Sequence, residues 1–130
     1  MTTYLCGGIN GLSDADCRDW REVAKAQLFT ATLDPMRRDY RGREDESVTE
    51  IVIGDLADIN DCEIVLVNAT KPSWGTAMEL FYAASKGKTV IAWVKPGPVS
   101  PWLRYFSKEI HESLEDAIGS INQRTTGGPE

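Results

Sequence analysis

The chain has 130 residues, which is enough for one domain that buries most of its apolar surface without disulfides or metal ions. Its formal net charge is -6 at pH 7 and its isoelectric point is about 4.8. A nucleic-acid polymer and an anionic membrane both require a basic face, so we expect neither as a partner and expect a small molecule instead.

Strand-like and helix-like segments alternate along the chain. Runs of β-branched and apolar residues predict strands at 3–6, 28–33, 63–67, 89–94 and 108–110. Apolar residues at helical spacing predict helices at 13–28, 47–60, 76–86 and 113–121. This order predicts a parallel sheet of about five strands with helices on both faces, a three-layer α/β sandwich. We expect one domain over residues 1–122 and a disordered tail over 123–130.

The cysteines and the single histidine give information about the cellular compartment of the protein and about possible metal sites. Cys6, Cys17 and Cys62 are odd in number and lack metal-ligand spacing, so they indicate reduced thiols in a cytoplasmic protein. His111 alone excludes a multi-histidine metal site. No segment has the pattern of an export signal or the length of a membrane span. We expect a cytoplasmic protein that uses no metal and no cofactor.

Four loops lie at the edge of the predicted sheet where ligands bind, beyond the carboxyl ends of the strands. They cover residues 7–12, 34–45, 68–75 and 95–101. The second loop is long and carries four arginines, Arg37, Arg38, Arg41 and Arg43. Two interpretations stay open: a loop held by salt bridges to its own acidic residues, or a lid whose guanidinium groups bind a phosphate or a base carbonyl.

Two tryptophans lie in or directly after these loops. Trp74 and Trp102 could stack on a nucleobase, or could pack in the fold or at a subunit contact. The segment SPWLRYF, residues 100–106, is too apolar for a free loop. We expect it to dock over the cleft or to be buried between subunits.

Glu79 follows a turn of small residues, Gly75 to Ala77, near the start of the third predicted helix. A carboxylate in a first helical turn could simply complement the helix dipole. The small neighbours leave room for a ligand, however, and a glutamate on a rigid element facing a cleft suits a nucleophile or a general base.

The other candidate groups are one tyrosine and two acids. Tyr4 lies on the first strand, and Asp55 and Asp58 lie near the end of the second helix, where solvated surface is the alternative. This inventory fits glycosyl transfer, in which one carboxylate traps an oxocarbenium-like centre and a second acid protonates the leaving group.

Four stretches carry a family resemblance: YLCGGING, DPMRRDYRG, GDLADINDCEIVLV and PSWGTAMELFYAASKGKTV. Together they resemble the nucleoside 2-deoxyribosyltransferase superfamily, which also includes nucleoside 5'-monophosphate N-glycosidases. The resemblance covers about residues 4–103 and implies a flavodoxin-like sheet. It is most specific in the GTxxE turn and in the GK before the next strand.

The resemblance also implies roles for individual residues. It makes Glu79 the nucleophile that attacks the anomeric carbon of the sugar to give a covalent deoxyribosyl-enzyme. It makes Tyr4 the group that orients this carboxylate, and it places Asp55 near the base, where it assists protonation. We expect substrate contacts from Gly7, Gly8, Asn10, Arg38, Asp58, Ser73, Gly75, Thr76 and Trp102.

Ser73 departs from the pattern of the transferases. Enzymes of the family that act on free nucleosides tend to carry an aspartate two positions before the turn glycine, where this chain has Ser73. The PSxG form resembles the monophosphate N-glycosidases, in which that serine binds the 5'-phosphate. The resemblance therefore leaves open a deoxynucleoside or its 5'-monophosphate as substrate.

Several functions follow as alternatives. The first is cleavage of an N-glycosidic bond with transfer to a free nucleobase, and the second is hydrolysis of the same bond. A non-catalytic nucleotide-binding module is a third, although it would need neither a nucleophile nor its orienting hydroxyl. A flavodoxin-like electron-transfer or response protein lacks support, because no flavin-phosphate loop or phosphorylation pocket is evident. The resemblance also implies a homodimer or a larger homo-oligomer whose neighbouring subunit completes the site.

Overall fold

The computed structural model describes residues 1–126, and the strands and helices alternate through most of that range. The strands are β1 Thr2–Cys6, β2 Ala31–Leu33, β3 Ile64–Asn68, β4 Thr89–Trp93 and β5 Glu109–His111. The helices are α1 Asp14–Gln27, α2 Val48–Asn60, α3 Trp74–Ser85, α4 Pro101–Phe106 and α5 Leu114–Thr126. Among these helices none combines the length and the apolar character needed to cross a bilayer.

The five strands form one parallel sheet in the order β2-β1-β3-β4-β5. This is the strand order of flavodoxin-like folds, and it reverses direction between β1 and β3. The predicted fold is therefore confirmed. The carboxyl ends of β1 and β3 lie side by side at this point, which is where such sheets bind ligands.

The sheet separates two apolar cores, because successive side chains of a strand point to opposite faces. Leu5 of β1 points to the face covered by α1 and α5. Tyr4 and Cys6, its neighbours, point to the face covered by α2 and α3, where they pack with Ile59 and Leu80. The alternation along β1 thus places a tyrosine and a cysteine beneath the two helices that carry the candidate acids.

Several boundaries differ from the predicted ones. The strand predicted at 28–33 is shorter, because Leu28 ends α1 by donating its N–H to Ala24. Helix α3 begins at Trp74 rather than at 76, because the side chain of Ser73 caps it.

The last two helices also differ from expectation. The predicted loop around residues 100–106 contains α4, which Ser100 caps and Pro101 starts. Helix α5 continues to Thr126. The tail predicted over 123–130 is therefore helical over 123–126, and its residues 127–130 lie outside the described part of the chain.

Candidate active site

Glu79 lies in the second turn of α3, as the sixth residue of a helix that starts at Trp74. The prediction that placed it in the first turn is wrong, because it started the helix two residues late. The influence of the helix dipole falls off within the first turn. The dipole therefore gives little reason for a carboxylate at this position.

The carboxyl group of Glu79 receives hydrogen bonds from two side chains of β1. The Oη of Tyr4 donates to Oε1 over 3.2 Å, and the Sγ of Cys6 donates to the same oxygen over 3.3 Å. The sequence predicts the contact of Tyr4 with Glu79 but not the contact of Cys6. Both reach Glu79 because residues two apart on a strand share one face of the sheet.

Asp55 of α2 completes the cluster. Its carboxyl group lies close enough to that of Glu79 for each to shift the pKa of the other. A hydrogen bond between two carboxyl groups requires one of them to hold a proton, since an ionised carboxylate can only accept. When the two groups share one proton, the pair carries a single negative charge.

Burial is the main electrostatic influence at this cluster. It raises the pKa of Glu79 above its ordinary range, and repulsion by Asp55 raises it further. Burial likewise raises the pKa of Asp55, and it raises the pKa of the Tyr4 hydroxyl well above its usual value, with the charge of Glu79 adding to the effect. Tyr4 therefore stays protonated and remains a donor. Among residues 1–126, no three His, Cys, Asp or Glu side chains are grouped to hold a metal ion.

Asp55 is bound on its other side by an arginine network. The Nη2 of Arg38 donates to Asp55 over 3.2 Å and to Asp58 over 2.8 Å. Arg37 donates to both carboxylate oxygens of Asp58, each over 2.8 Å. A link thus runs from Arg37 through Asp58 and Arg38 to Asp55 and Glu79.

This network corrects the surface interpretation of the two aspartates. Asp58 is only 6% exposed, so it is not solvated helix surface. Because two arginines occupy its oxygens, the geometry gives Asp58 the role of holding Arg38, and its predicted substrate contact stays a prediction. Gly54 makes room for this arrangement, since a Cβ there would lie 3.2 Å from the Nε of Arg38. Nothing in the local sequence marks Gly54, because its role depends on where Arg38 lies.

The rest of the arginine loop is held by salt bridges. Arg41 binds Asp39 over 2.7 Å and Asp14 of α1 over 2.9 Å. Arg43 lies over the ring of Tyr40. The partner within the loop is Asp39, as the salt-bridged interpretation expects, and the other acidic partners of these arginines come from α1 and α2.

The loop after β1 lies against the start of α3. A Cβ at Gly7 would lie 2.7 Å from the ring of Trp20, so this glycine permits close packing. A Cβ at Gly8 would lie 2.9 Å from Leu12 and 3.6 Å from the Cβ of Ser73. Asn10, at the tip of the loop, is exposed. Gly8 is thus the member of this loop that approaches the predicted substrate contacts of α3.

The N-terminus of α3 has the features of an anion site. The Oγ of Ser73 accepts a hydrogen bond from the N–H of Thr76 over 3.4 Å. The space beside Gly75 is open, since a Cβ at this residue would have no neighbouring atom within 4 Å. The Oγ1 of Thr76 is buried and makes no hydrogen bond within residues 1–126. Free backbone N–H groups and the positive end of the dipole favour an anion at such a position.

A cavity of about 1030 Å³ lies between α3 and the segment from β4 to α4. Ser73 and Thr76 line it, but Tyr4, Asp55 and Glu79 do not. Trp74 is 85% exposed and Trp102 is 74% exposed at its rim. We place the chemistry at the carboxyl cluster rather than in this cavity, because the cavity wall is mostly apolar and holds no carboxylate.

Comparison with known proteins gives one family and several structural relatives. The family model described as "Nucleoside 2-deoxyribosyltransferase" matches residues 3–101. No curated protein matches the sequence. A 2-deoxyribosyltransferase from Bacillus psychrosaccharolyticus is similar in structure, with a TM-score of 0.75 and 17% identity over 91% of this chain and 90% of that one.

Two further solved structures are similar to this chain. A conserved protein from Enterococcus faecalis V583 has a TM-score of 0.77 and 14% identity over 95% of this chain and 98% of its own. A CMP N-glycosidase from Clostridium botulinum has a TM-score of 0.59 and 14% identity over 94% of this chain and 99% of its own. At such identities the likeness establishes a shared fold.

Proposed function

The chain belongs to the nucleoside 2-deoxyribosyltransferase family, and from this premise we propose that it cleaves the N-glycosidic bond of a 2'-deoxynucleoside or its 5'-monophosphate. The reaction passes through a covalent deoxyribosyl ester on Glu79 and ends with transfer of the sugar to another nucleobase. The observation that carries the proposal is the cluster at the β1/β3 reversal, where Tyr4 donates to the Glu79 carboxyl group and Asp55 lies beside it.

The shared proton fits the first half of this reaction. With the proton on Asp55, Glu79 is ionised and can attack C1' of the sugar while Asp55 gives its proton to the departing base. Tyr4 favours this distribution by donating to the ionised Glu79, whereas the hydrogen bond from Arg38 lowers the pKa of Asp55 and opposes it before the base departs. Arg38 assists the proton transfer, because its hydrogen bond stabilises the Asp55 carboxylate that remains.

The second half reverses these roles. An acceptor base attacks C1' of the ester, Glu79 leaves as a carboxylate, and Asp55 takes back a proton from the incoming base. If water attacks instead, the products are the free base and deoxyribose or its 5-phosphate. Hydrolysis is therefore the second candidate function, and the Ser73 anion site favours it through the resemblance to the monophosphate N-glycosidases.

A panel of deoxynucleosides and their 5'-monophosphates, each incubated with and without a free nucleobase, tests the proposal by chromatography. Transfer gives a new nucleoside that requires the added base. Hydrolysis releases the base without any acceptor. If no substrate loses its base under either condition, the proposal is wrong, and binding of the same compounds without turnover would support the non-catalytic nucleotide-binding module.

Tyr4→Phe lowers kcat by about 10- to 100-fold and leaves KM nearly unchanged. The change removes one hydrogen bond to a charged group, which is worth about 1.5 to 3 kcal/mol, and keeps the ring that packs beneath α3. Steady-state kinetics with the best substrate of the panel measures it. Tyr82→Phe is the matched control, because that hydroxyl accepts a hydrogen bond from Asn60 away from Glu79. An unchanged rate in Tyr4→Phe would remove Tyr4 from the mechanism.

We also propose a homo-oligomer that forms through α3 and α4. Exposed apolar side chains on these two helices are Trp74, Met78, Phe81, Trp102 and Tyr105. Four of them, Trp74, Met78, Phe81 and Trp102, line the apolar cavity, and a contiguous exposed apolar surface marks an interaction site. A second subunit that covers this surface would also approach the open N-terminus of α3.

Phe81→Asp converts the protein to a monomer in sedimentation equilibrium, because the added charge would be buried in the subunit contact. Phe29→Asp is the matched control, since Phe29 is equally apolar and 68% exposed but lies between α1 and β2. The wild-type protein and Phe29→Asp should show the mass of a dimer or larger assembly. A wild-type protein that is monomeric at all concentrations contradicts the prediction.

A further inference from the structure

We propose that Cys6 is a positioning residue whose thiol holds and helps to ionise the Glu79 carboxylate. Its effect on turnover rests on the function proposed above, whereas its effect on the ionisation of Glu79 does not. The thiol lies 3.3 Å from Oε1 of Glu79, the oxygen that also receives the Tyr4 hydroxyl.

The convergence of two donors on one oxygen fixes the rotation of the carboxyl group. Tyr4 and Cys6 reach Oε1 from two separate points of β1, two residues apart on the same face. Two donors at different points hold the orientation of this oxygen, whereas a single hydrogen bond from the tyrosine would leave the carboxyl group free to turn about it. A nucleophile held in one orientation loses less freedom on reaching the transition state.

The thiol has a second acceptor within reach, the carbonyl oxygen of Thr76 at 3.8 Å. The Glu79 oxygen is nearer and carries negative charge, so it is the stronger acceptor for the single proton. Burial, with the charge of Glu79, raises the pKa of the Cys6 thiol. Cys6 therefore remains a thiol and acts as a donor rather than as a competing nucleophile.

The backbone around Cys6 is fixed by Arg21, a fully buried residue of α1. Its Nε donates to the carbonyl oxygen of Leu5 over 3.3 Å, and its Nη2 donates to that of Gly7 over 3.0 Å. These are the residues on either side of Cys6. Arg21 therefore holds the end of β1 rigidly, and the Cys6 thiol keeps its place beside Glu79. A donor that positions another group needs such a rigid support.

The test compares Cys6→Ala, Cys6→Ser and Cys62→Ala. The ionisation of Glu79 is measured by ¹³C NMR titration of glutamate carboxyl carbons, with assignment by loss of the signal in Glu79→Gln. Cys6→Ala removes a donor that stabilises the carboxylate, so the pKa of Glu79 rises and the carboxyl group stays protonated to higher pH. In kinetics it lowers kcat by about tenfold with KM within about twofold.

Cys6→Ser restores a donor at the same position, so it returns both the pKa of Glu79 and kcat toward their wild-type values. Cys62→Ala is the matched control, because Cys62 is another fully buried thiol on the same face of the sheet. It should change neither quantity. If Cys6→Ala does not fold, the hydrogen bond is tested by comparing infrared spectra of the wild-type protein and of Glu79→Gln. One S–H stretching band should shift to higher frequency in Glu79→Gln, because the thiol loses its charged acceptor.

Three results would overturn the inference: a pKa of Glu79 that does not change in Cys6→Ala, a loss of kcat that Cys6→Ser fails to reverse, or S–H bands that Glu79→Gln leaves in place. The titration is independent of any substrate. If the protein cleaves none of the nucleosides in the panel, the proposed function fails, while a shift in the pKa of Glu79 still supports the hydrogen bond.

Discussion

Glu79→Gln lowers kcat by roughly 10⁴-fold or more and leaves the fold intact. Glutamine has nearly the same shape but cannot form the ester to C1', so the covalent route is lost rather than weakened. The change also removes a buried charge from the side of Asp55. We therefore expect the variant to be at least as stable as the wild-type protein in thermal unfolding.

The measurement combines steady-state kinetics with mass spectrometry. The wild-type enzyme, denatured during turnover and digested, should give a peptide containing Glu79 that is heavier by the deoxyribosyl group or its 5'-phosphate. Glu50→Gln is the control, because Glu50 is an exposed glutamate in the first turn of α2. Wild-type turnover in Glu79→Gln, or an adduct found on another residue, contradicts the assignment of the nucleophile.

The fold could be predicted because its signals are local. Continuous apolar runs such as 64–67 indicate strands covered on both faces, and Ser13 marks the start of α1 by capping it. The boundaries of helices are harder to predict where the same residue type is common both in loops and at the start of a helix. Ser73 sits among Pro72, Trp74 and Gly75, a composition typical of a loop, yet its side chain starts α3 there.

The carboxyl cluster could be predicted only in part, because it depends on packing between distant segments. Tyr4 and Glu79 are 75 residues apart in sequence and meet only because β1 and β3 are neighbours in the sheet. The contact of Cys6 with Glu79 could have been predicted, because Tyr4 and Cys6 are two residues apart on one predicted strand and therefore point to the same face of the sheet. The burial of Asp58 could not be predicted from the sequence pattern. It results from contacts with two arginines that lie in and directly after a 3₁₀ turn, which follows β2 and lies next to α2.

Ser73 raises the question of substrate class, and its surroundings favour an anion. Glu79 is six positions after Ser73, which corresponds to about 9 Å along the axis of α3. That span suits a deoxyribose whose C1' lies at Glu79 and whose 5'-phosphate lies at the helix N-terminus. The free N–H groups of the first turn are available there as donors.

Ser73→Asp should therefore lower kcat/KM for the 5'-monophosphate by roughly 100- to 1000-fold. Like charges about 4 Å apart near a protein surface repel each other by about 4 kcal/mol, and about 1.4 kcal/mol is a factor of ten. Aspartate caps a helix as well as serine does, so α3 should stay intact. The free nucleoside has no phosphate to repel, and its kcat/KM should change by less than about tenfold.

Ser73→Asn isolates the charge from the change in size, because asparagine has the shape of aspartate, caps equally well and is neutral. It should reduce kcat/KM for the monophosphate by less than about tenfold. The comparison of the two variants on the two substrates therefore measures the repulsion of the phosphate alone. If Ser73→Asp and Ser73→Asn affect the monophosphate equally, or if the wild-type enzyme accepts only free nucleosides, then Ser73 serves as a helix cap and the phosphate binds elsewhere or not at all.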